Sequence, residues 1–582
     1  MLNRPLRILS ILRPVADLSP RPRVPGGTLR ELVWQIDPAD LAGLEQAAGL
    51  KKTNCASVTL DALLIGRQEH EVLLRRAAGA GCDNLLRLDA DPTAGFEELA
   101  GTIQELEAAN GYGLILLGER CRSGDLGLGS ALAGSMRRSH VVNGSIDIAS
   151  DEAGIAAMVP AVVSFTGKSS AFSVSVDEAV HASFVSVRVF PPSVRSTAAD
   201  YHYALPAGKE QATAAVSRPR EAAEYLRAFA RSISAVSAPA FQEEPEQGAL
   251  AKESAVWAVL DPDKGKANLN VLRSARLASS MLSRKAFAII AAPRASWPGL
   301  LGLAQAKGME QAFCLDTRDG RLSQQGEQEL VRSILKSAAP AVLVANEDWT
   351  HPLASVAGEA SAANQQVLLA AGVSGMEQGP SGGLMLSSPA YDGKLVRSRA
   401  FSSGSAFITI ASDADLPAAA QRTGFKAWKL DAVIPPEHLA PLSPATAPTL
   451  SQADVIIDLG YGIRDKAGLA LAQELKGKLE ALGLTPFFGA TRKVTQDLKL
   501  LPLDAQIGQT GVRVNPRLVL ALGISGAPQH IDYLGTRAEI LCFNKDTDAP
   551  LMKLNKTRPA PRVHPLAGDL FDTVRELIDR LG

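Results

Sequence analysis

Short runs of continuous apolar residues recur along nearly the whole chain, separated by alanine-rich stretches of helix length. The runs are Arg7–Leu12, Ser57–Leu64, Gly113–Gly118, Val256–Leu260, Ala286–Ala291, Ala341–Ala345, Val455–Leu459, Leu518–Gly523 and Glu539–Phe543. Several are unbroken Val, Ile, Leu and Ala segments rather than alternating ones. That is the pattern of strands buried on both faces of a parallel sheet. Between them lie Glu69–Gly79, Phe96–Asn110, Asn268–Ser283, Glu327–Ser337 and Lys466–Leu482, each long enough for a helix. Strand alternating with helix predicts an α/β fold, with Rossmann-like units, mostly parallel sheets and helices on both faces.

Two stretches break the rhythm. Phe190–Ser254 is rich in Pro, Ala, Ser and charge, with one helix expected at Pro219–Ser234. Leu416–Gln452 carries Pro417, Pro435, Pro436, Pro441, Pro444 and Pro448 and reads as a second connector. The expected organisation is an α/β unit over 1–190, a linker and tail over 191–252, a second unit over 253–415, a Pro-rich connector over 416–450, and a last unit over 451–582. The first two units share an order of elements and end in β-type regions, Val141–Val187 and Gln365–Ile410, so they are expected to pack as a pseudo-symmetric pair.

Length and composition add limits. At 582 residues the chain has room for about four domains. Its 60 basic and 61 acidic side chains argue against nucleic acid or an anionic membrane as main partner. No apolar run is long enough to predict a membrane-spanning helix, and the first residues lack a secretory h-region. Cys55, Cys82, Cys121, Cys314 and Cys542 are scattered without a CxxC, which suits buried thiols in a cytoplasmic protein rather than disulfides or a metal cluster. The histidines form no HxH or HExxH pair, so no metal site is expected.

The chemistry is written in the last unit. Val455–Leu459 runs into Gly460-Tyr461-Gly462 and then a helix, a turn whose glycines let backbone approach a ligand and whose helix N-terminus suits a phosphate. Alone that signal is weak. Four blocks follow: Phe488-Gly489-Ala490-Thr491-Arg492, then Gln506-Ile507-Gly508-Gln509-Thr510-Gly511, then Gly523-Ile524-Ser525-Gly526-Ala527-Pro528-Gln529-His530, then Asn544-Lys545-Asp546. Gly568-Asp569-Leu570-Phe571 precedes the final helix. This ordered set resembles the FAD domain of the electron-transfer flavoprotein α subunit, whose pattern is G-A-S-R, Q-V-G-Q-T-G, G-I-S-G-A-I-Q-H, N-K-D and D-L-F. Ser388–Lys394 is similar to an R-P-x-Y-x-G-K-like segment in that subunit's N-terminal domain.

The resemblance implies a role for each position. Arg492 would lie against the isoalloxazine ring, His530 near its N1/C2 carbonyl side and Thr510 near N5 and O4. A fixed positive charge or donor there stabilises the negative charge that reduction places on the ring. Gln509 with the backbone of Ile507 and Gly508 would hold the ring and ribityl chain, and Thr491 keeps the hydroxyl of the family's serine. Ser525, Gly526, Ala527, Pro528 and Gln529 would receive the pyrophosphate. Asn544 and Asp569 would hold the adenosine end. Tyr461 stands where the family has an arginine, and Arg464 or Lys466 is the candidate replacement cation.

The N-terminal third resembles the β subunit of the same flavoprotein. Leu12–Asp17, Ile36–Asp40, Arg75–Asp83 and Leu114–Gly118 are similar to its V-K-R-V-V-D, M-N-P-F-D/C-E, R-T-A-L-A-x-G-A-D and L-V-I-L-G segments. The chain thus reads as a β–α fusion, a tether that raises the effective concentration of the halves. Candidates for a second nucleotide, AMP or another FAD, are Asp37, Asp40, Gly118 and Asp125. Of the family's D-D-D-x-N-Q-T-G loop only Asp125 and the glycines survive, which argues against electron bifurcation. The resemblance implies an FAD electron carrier between a flavin-dependent dehydrogenase and a quinone-linked iron–sulfur flavoprotein. An FAD-binding assembly subunit of a larger dehydrogenase complex is the reading from another class, motivated by the missing L-R-L-N-E-P-R-Y-P segment. An adenine-nucleotide enzyme is disfavoured by the absence of G-x-x-x-x-G-K-[ST].

Overall fold

The computed structural model describes residues 5–17, 33–53, 57–92, 94–124, 126–143, 159–166, 186–191, 202–204, 216–234, 239–262, 264–338, 340–379, 382–391, 395–411, 414, 416, 424–431, 434–442, 449–450, 453–508, 511–512, 514–531, 533–535, 538–556 and 562–582. The chain forms two compact units. One is Met1–Leu205 with Pro239–Leu442, the other Pro206–Ala238 with Ser443–Gly582.

The larger unit holds two parallel sheets. In the first, the spatial order is Ser139–Asn143, Ala161–Phe165, Leu114–Gly118, Leu6–Leu12, Val58–Ile65, Asn84–Leu88 and Val187–Phe190. In the second it is Glu246–Gly248, Lys426–Leu430, Gln311–Asp316, Lys285–Ala292, Ala255–Leu260, Val342–Asn346, Ser405–Ile410 and Val367–Val373. The central strands are buried along their length, as continuous apolar runs require. A four-stranded antiparallel sheet joins His202–Ala204, Leu395–Phe401, Leu384–Ala390 and Gly375–Gln378. The stretch expected as a Pro-rich connector therefore supplies a strand, Lys426–Leu430, to a sheet interior, and Leu439–Pro441 pairs with Gly320–Leu322.

The two halves of this unit meet through helices Leu128–Met136 and Thr350–Ala362. The contact is reciprocal. A β-carbon on Gly134 would overlap the Ser355 carbonyl oxygen, and one on Gly358 would overlap that of Ala131. Ala131-x-x-Gly134 thus faces Ser355-x-x-Gly358, two small residues three apart on each helix, as a pseudo-twofold arrangement demands. Beside this seam, Ser130 Oγ lies 3.0 Å from His140 Nδ1 and 2.7 Å from His351 Nδ1. His140 Nε2 lies 2.9 Å from Ser164 Oγ, and His351 Nε2 lies 3.3 Å from Glu119 Oε1. Burial, with the charge of His351 adding to it, pushes the His140 pKa down to about 4.

The smaller unit is one five-stranded parallel sheet in the order Pro486–Ala490, Val455–Leu459, Leu518–Leu522, Glu539–Asn544 and Arg562–Ala567. Helix Pro219–Ser234, expected inside a linker, belongs here. It buries Ala222, Ala223, Leu226 and Ala230, one face at helical spacing, in the same apolar cluster as Val574, Leu577 and Ile578 of helix Leu570–Leu581.

Two tests follow from the larger unit, which contains all five tryptophans of the chain, so tryptophan fluorescence follows its unfolding alone. Gly358→Val, which drives a side chain into a carbonyl, should cost about 3 kcal/mol in a urea titration. Gly299→Ala, on an exposed helix position with open space around it, should instead gain up to about 1 kcal/mol. The second test concerns pH. His140 is neutral when folded and takes up a proton more readily when unfolded, so its contribution is complete above about pH 6.5 and is lost as pH falls toward 4. The loss should be about 3 kcal/mol, and His140→Asn should flatten that part of the stability profile.

Candidate functional site

In the smaller unit the chain leaves strand Val455–Leu459, adds Pro486–Ala490 on one side, then crosses to add Leu518–Leu522 on the other. The crevice beyond the carboxyl ends of Val455–Leu459 and Leu518–Leu522 is the switch point where α/β sheets bind ligands. The residues just past the two strands touch. Gly460 N–H donates to Leu522 O at 2.8 Å and Gly462 N–H donates to Gly523 O at 3.1 Å. A β-carbon on Gly460 would overlap Gly523 O, and Gly523 has φ of +67°, so both positions need glycine.

The predicted segments converge on this edge. Ile507 N–H donates to Ala490 O at 2.9 Å, and Gln506 Oε1 accepts from Thr495 Oγ1 at 2.8 Å and from Gln496 Nε2 at 3.0 Å. Arg492 is exposed, its Nε donating to Gln496 Oε1 at 2.9 Å. His530 is buried. Its Nδ1 lies 3.0 Å from Ile507 O and its Nε2 lies 2.7 Å from Asp458 Oδ2. Burial works against charge on that ring, but the charge and hydrogen bond of Asp458 and the Ile507 carbonyl outweigh it, so His530 is held above the ordinary histidine range. Ser525, Ala527 and Pro528 are exposed around the buried Gly526, whose φ is +93°. Among the described residues nothing accepts a hydrogen bond from the backbone N–H groups of Ser525, Gly526 or Ala527. Gln509, Thr510 and the side chain of Gln529 lie outside the described residues.

Asn544 and Asp569 serve the scaffold in this structure. Asn544 Nδ2 donates to Ile524 O at 2.9 Å, steadying the segment before Ser525. Asp569 is exposed and caps helix Leu570–Leu581, accepting from Phe571 N–H at 2.9 Å. One expectation is corrected. The helix after Gly460-Tyr461-Gly462 does not offer a free N-terminus to a phosphate. Asp465 caps it, accepting from Ala467 N–H at 2.8 Å and Gly468 N–H at 3.2 Å, and brings negative charge there.

Two residues, Asp458 and Lys493, escaped sequence reasoning. Asp458 sits fully buried within an apolar strand, and a carboxylate inside such a run is the signal that could have found it. Its Oδ1 is buried without a hydrogen-bond partner among the described residues, as is Thr491 Oγ1. Lys493 Nζ lies 5.2 Å from the centroid of the Tyr461 ring, so a cation stands beside the family's missing arginine after all. The expected substitute Arg464 stacks instead over Phe571, at 5.7 Å.

The larger unit treats its corresponding crevice differently. Asp40 takes Arg13 in a two-pronged buried pair, with Nη2 2.8 Å from Oδ1 and Nε 3.1 Å from Oδ2, and its Oδ1 also accepts Gly118 N–H at 2.6 Å. Asp37 accepts from Ala39 N–H at 2.9 Å and Arg122 N–H at 2.8 Å. Gly118 is packed against Ala39. Asp125 lies outside the described residues. Asp37 and Asp40, two of the groups expected to meet a second nucleotide, are thus committed to tying the loop after Gly118 to the helix Pro38–Thr53.

Comparison with known proteins places two flavoprotein segments on this chain. Residues 449–534 match the electron transfer flavoprotein FAD-binding domain, and residues 28–157 match the electron transfer flavoprotein domain. Among relatives, the electron transfer flavoprotein subunit alpha of Paracoccus denitrificans is 34% identical over 164 residues, 28% of this chain and 46% of its own length. The probable mitochondrial subunit alpha of Caenorhabditis elegans is 37% identical over 136 residues, 23% of this chain and 37% of its own. The acryloyl-CoA reductase electron transfer subunit beta of Anaerotignum propionicum is 37% identical over 131 residues, 22% of this chain and 32% of its own. The chain therefore spans less than half the length of these curated relatives. No helix among the described residues is long and apolar enough to cross a membrane.

The unpartnered hydroxyl makes a direct test. Thr491→Val removes no hydrogen bond made among the described residues, so the ligand-free chain should melt within about 0.5 kcal/mol of the parent. Affinity for the ligand that donates to or accepts from Thr491 Oγ1 should fall by about 1 kcal/mol, some fivefold, by isothermal calorimetry with FAD.

Proposed function

We propose that the chain is an FAD-containing electron carrier in which a β-like and an α-like part of an electron transfer flavoprotein are fused. The observation that carries the reading is the strand-end crevice of the smaller unit, where buried Thr491 Oγ1 and Asp458 Oδ1 lack partners beside the segment matched to the FAD-binding domain. A buried polar atom without a partner is costly, and a ligand that supplies one removes the cost. The groups fit FAD. Thr491, Ile507, Gly508, Gln509 and Thr510 would hold the ring and ribityl chain. The free N–H groups at Ser525–Ala527, with Pro528 and Gln529, would take the pyrophosphate. Asn544 would steady that segment, and Asp569 keeps one carboxylate oxygen for the ribose. FAD, when bound, supplies acceptance of an electron pair and release of single electrons. Arg492, which is exposed, and Lys493, over Tyr461, are cations that would favour negative charge on the ring.

The donor would be a flavin-dependent dehydrogenase and the acceptor a quinone-linked iron–sulfur flavoprotein, with no small-molecule substrate for the chain itself. The internal partners of Asp40 and Asp37 favour one nucleotide per chain, without AMP, and disfavour bifurcation.

The test is redox. Anaerobic photoreduction of the FAD-loaded chain, followed by mixing with a one-electron acceptor, should return the oxidised flavin spectrum within seconds. Failure to exchange electrons with any acceptor would favour a structural FAD in an assembly subunit. Arg492→Ala should lower the midpoint potential while leaving the unfolding of the ligand-free chain unchanged, since among the described residues the exposed guanidinium bonds only Gln496.

A further inference from the structure

Asp458 is the one charged residue in strand Val455–Leu459, and it is fully buried. A lone carboxylate is not kept inside an apolar strand without a partner. Its partner is His530, 72 residues later, at 2.7 Å. The other ring nitrogen of His530 faces the carbonyl oxygen of Ile507 at 3.0 Å. A carbonyl can only accept, so Nδ1 carries a hydrogen. Between Nε2 and Asp458 Oδ2 the remaining proton belongs on the ring, because imidazole ordinarily holds a proton more than two pH units higher than an aspartate does. Both ring nitrogens then donate, and the ring is an imidazolium against a carboxylate. Of the other ionisable groups described nearby, Cys542 on strand Glu539–Asn544 feels the same carboxylate, but burial pushes its thiol up to about 12, so it stays neutral. The direction in which His530 is shifted agrees.

We propose that Asp458 is a positioning residue that fixes His530 as a buried imidazolium, so that the pair meets the cofactor as one charge-neutral unit rather than as a lone cation. The inference deepens the flavin reading and rests on it only for the cofactor's presence; the pair itself is a property of the chain. It assigns different parts to His530 and Arg492. Arg492 is a net positive charge at the rim. His530 orients two N–H bonds and carries no net charge once Asp458 is counted. Asp458 Oδ1, buried and unpartnered, remains as an acceptor for a donor on the ligand.

Two measurements on the full chain test this. In the first, the flavin-free chain is labelled with 15N-histidine and its imidazole nitrogens are followed from pH 6 to 9, with His530 assigned by its loss in His530→Gln. The expected result is a ring protonated on both nitrogens at pH 7.5 in the parent and on one nitrogen in Asp458→Asn. A neutral ring in the parent at pH 7.5 overturns the proposal without needing any variant to fold. So does a ring in Asp458→Asn that titrates as in the parent. In the second, midpoint potentials are compared in the FAD-loaded chain. His530→Gln leaves the carboxylate unbalanced and should shift the potential negative. Adding Asp458→Asn should return most of that shift. Equal potentials in the single and double variants would overturn the charge-neutral unit. A chain that shows the doubly protonated ring yet takes up no FAD would sink the flavin reading and leave the pair standing.

Discussion

A parallel sheet delivers whatever follows its strands to a single edge, and the candidate site depends on two of those deliveries touching. Gly460 after one strand and Gly523 after another come so close that neither tolerates a β-carbon. That approach closes the floor of the crevice and holds the following segments in place. Ile507 is tied to Ala490, His530 to Ile507 and Asp458, and Asn544 to Ile524. Five sequence blocks spread over about a hundred residues become one surface because four lie at the ends of strands and the fifth, Gln506–Gly511, is tied to the end of one through Ile507 and Ala490.

The two kinds of crevice in the chain show how similar topology can serve different ends. In the larger unit, Asp40 and Asp37 are satisfied by Arg13, Gly118, Ala39 and Arg122, so their binding capacity turns inward and fastens a loop. In the smaller unit, Thr491 Oγ1, Asp458 Oδ1 and the N–H groups of Ser525–Ala527 find no partner among the described residues. Unmet polar groups at a switch point are the physical mark of a site that expects a ligand. Met ones are the mark of a scaffold. The reciprocal glycine contact between helices Leu128–Met136 and Thr350–Ala362 is the corresponding scaffold feature between the halves of the larger unit.

Much of the α/β architecture was legible in the sequence, because a strand buried on both faces must be apolar throughout. Val455–Leu459 and the helices Phe96–Asn110 and Pro219–Ser234 have the expected limits. What could not be read was where an isolated element packs. Helix Pro219–Ser234 looked like part of a linker because its amphipathic face does not name its partner. Lys426–Leu430 was hidden among prolines, since a strand flanked by Pro reads as connector until its neighbours are known. At the site, the glycines and the His530 position were legible from motif order. The cap on helix Lys466–Ala481 was not, because the glycine-rich turn reads as leaving that helix N-terminus free for a phosphate. The pairing of Asp458 with His530 was also out of reach, since long-range contacts leave no local periodicity.

The central claim is one flavin in the smaller unit and no nucleotide in the larger. The most direct measurement is to record the visible spectrum of the purified chain, denature it, and quantify released FAD and AMP per chain. The account predicts flavin bands, one FAD per chain and no AMP. No FAD would contradict the electron-carrier reading, and AMP or a second FAD would contradict the proposal that the larger unit takes no nucleotide.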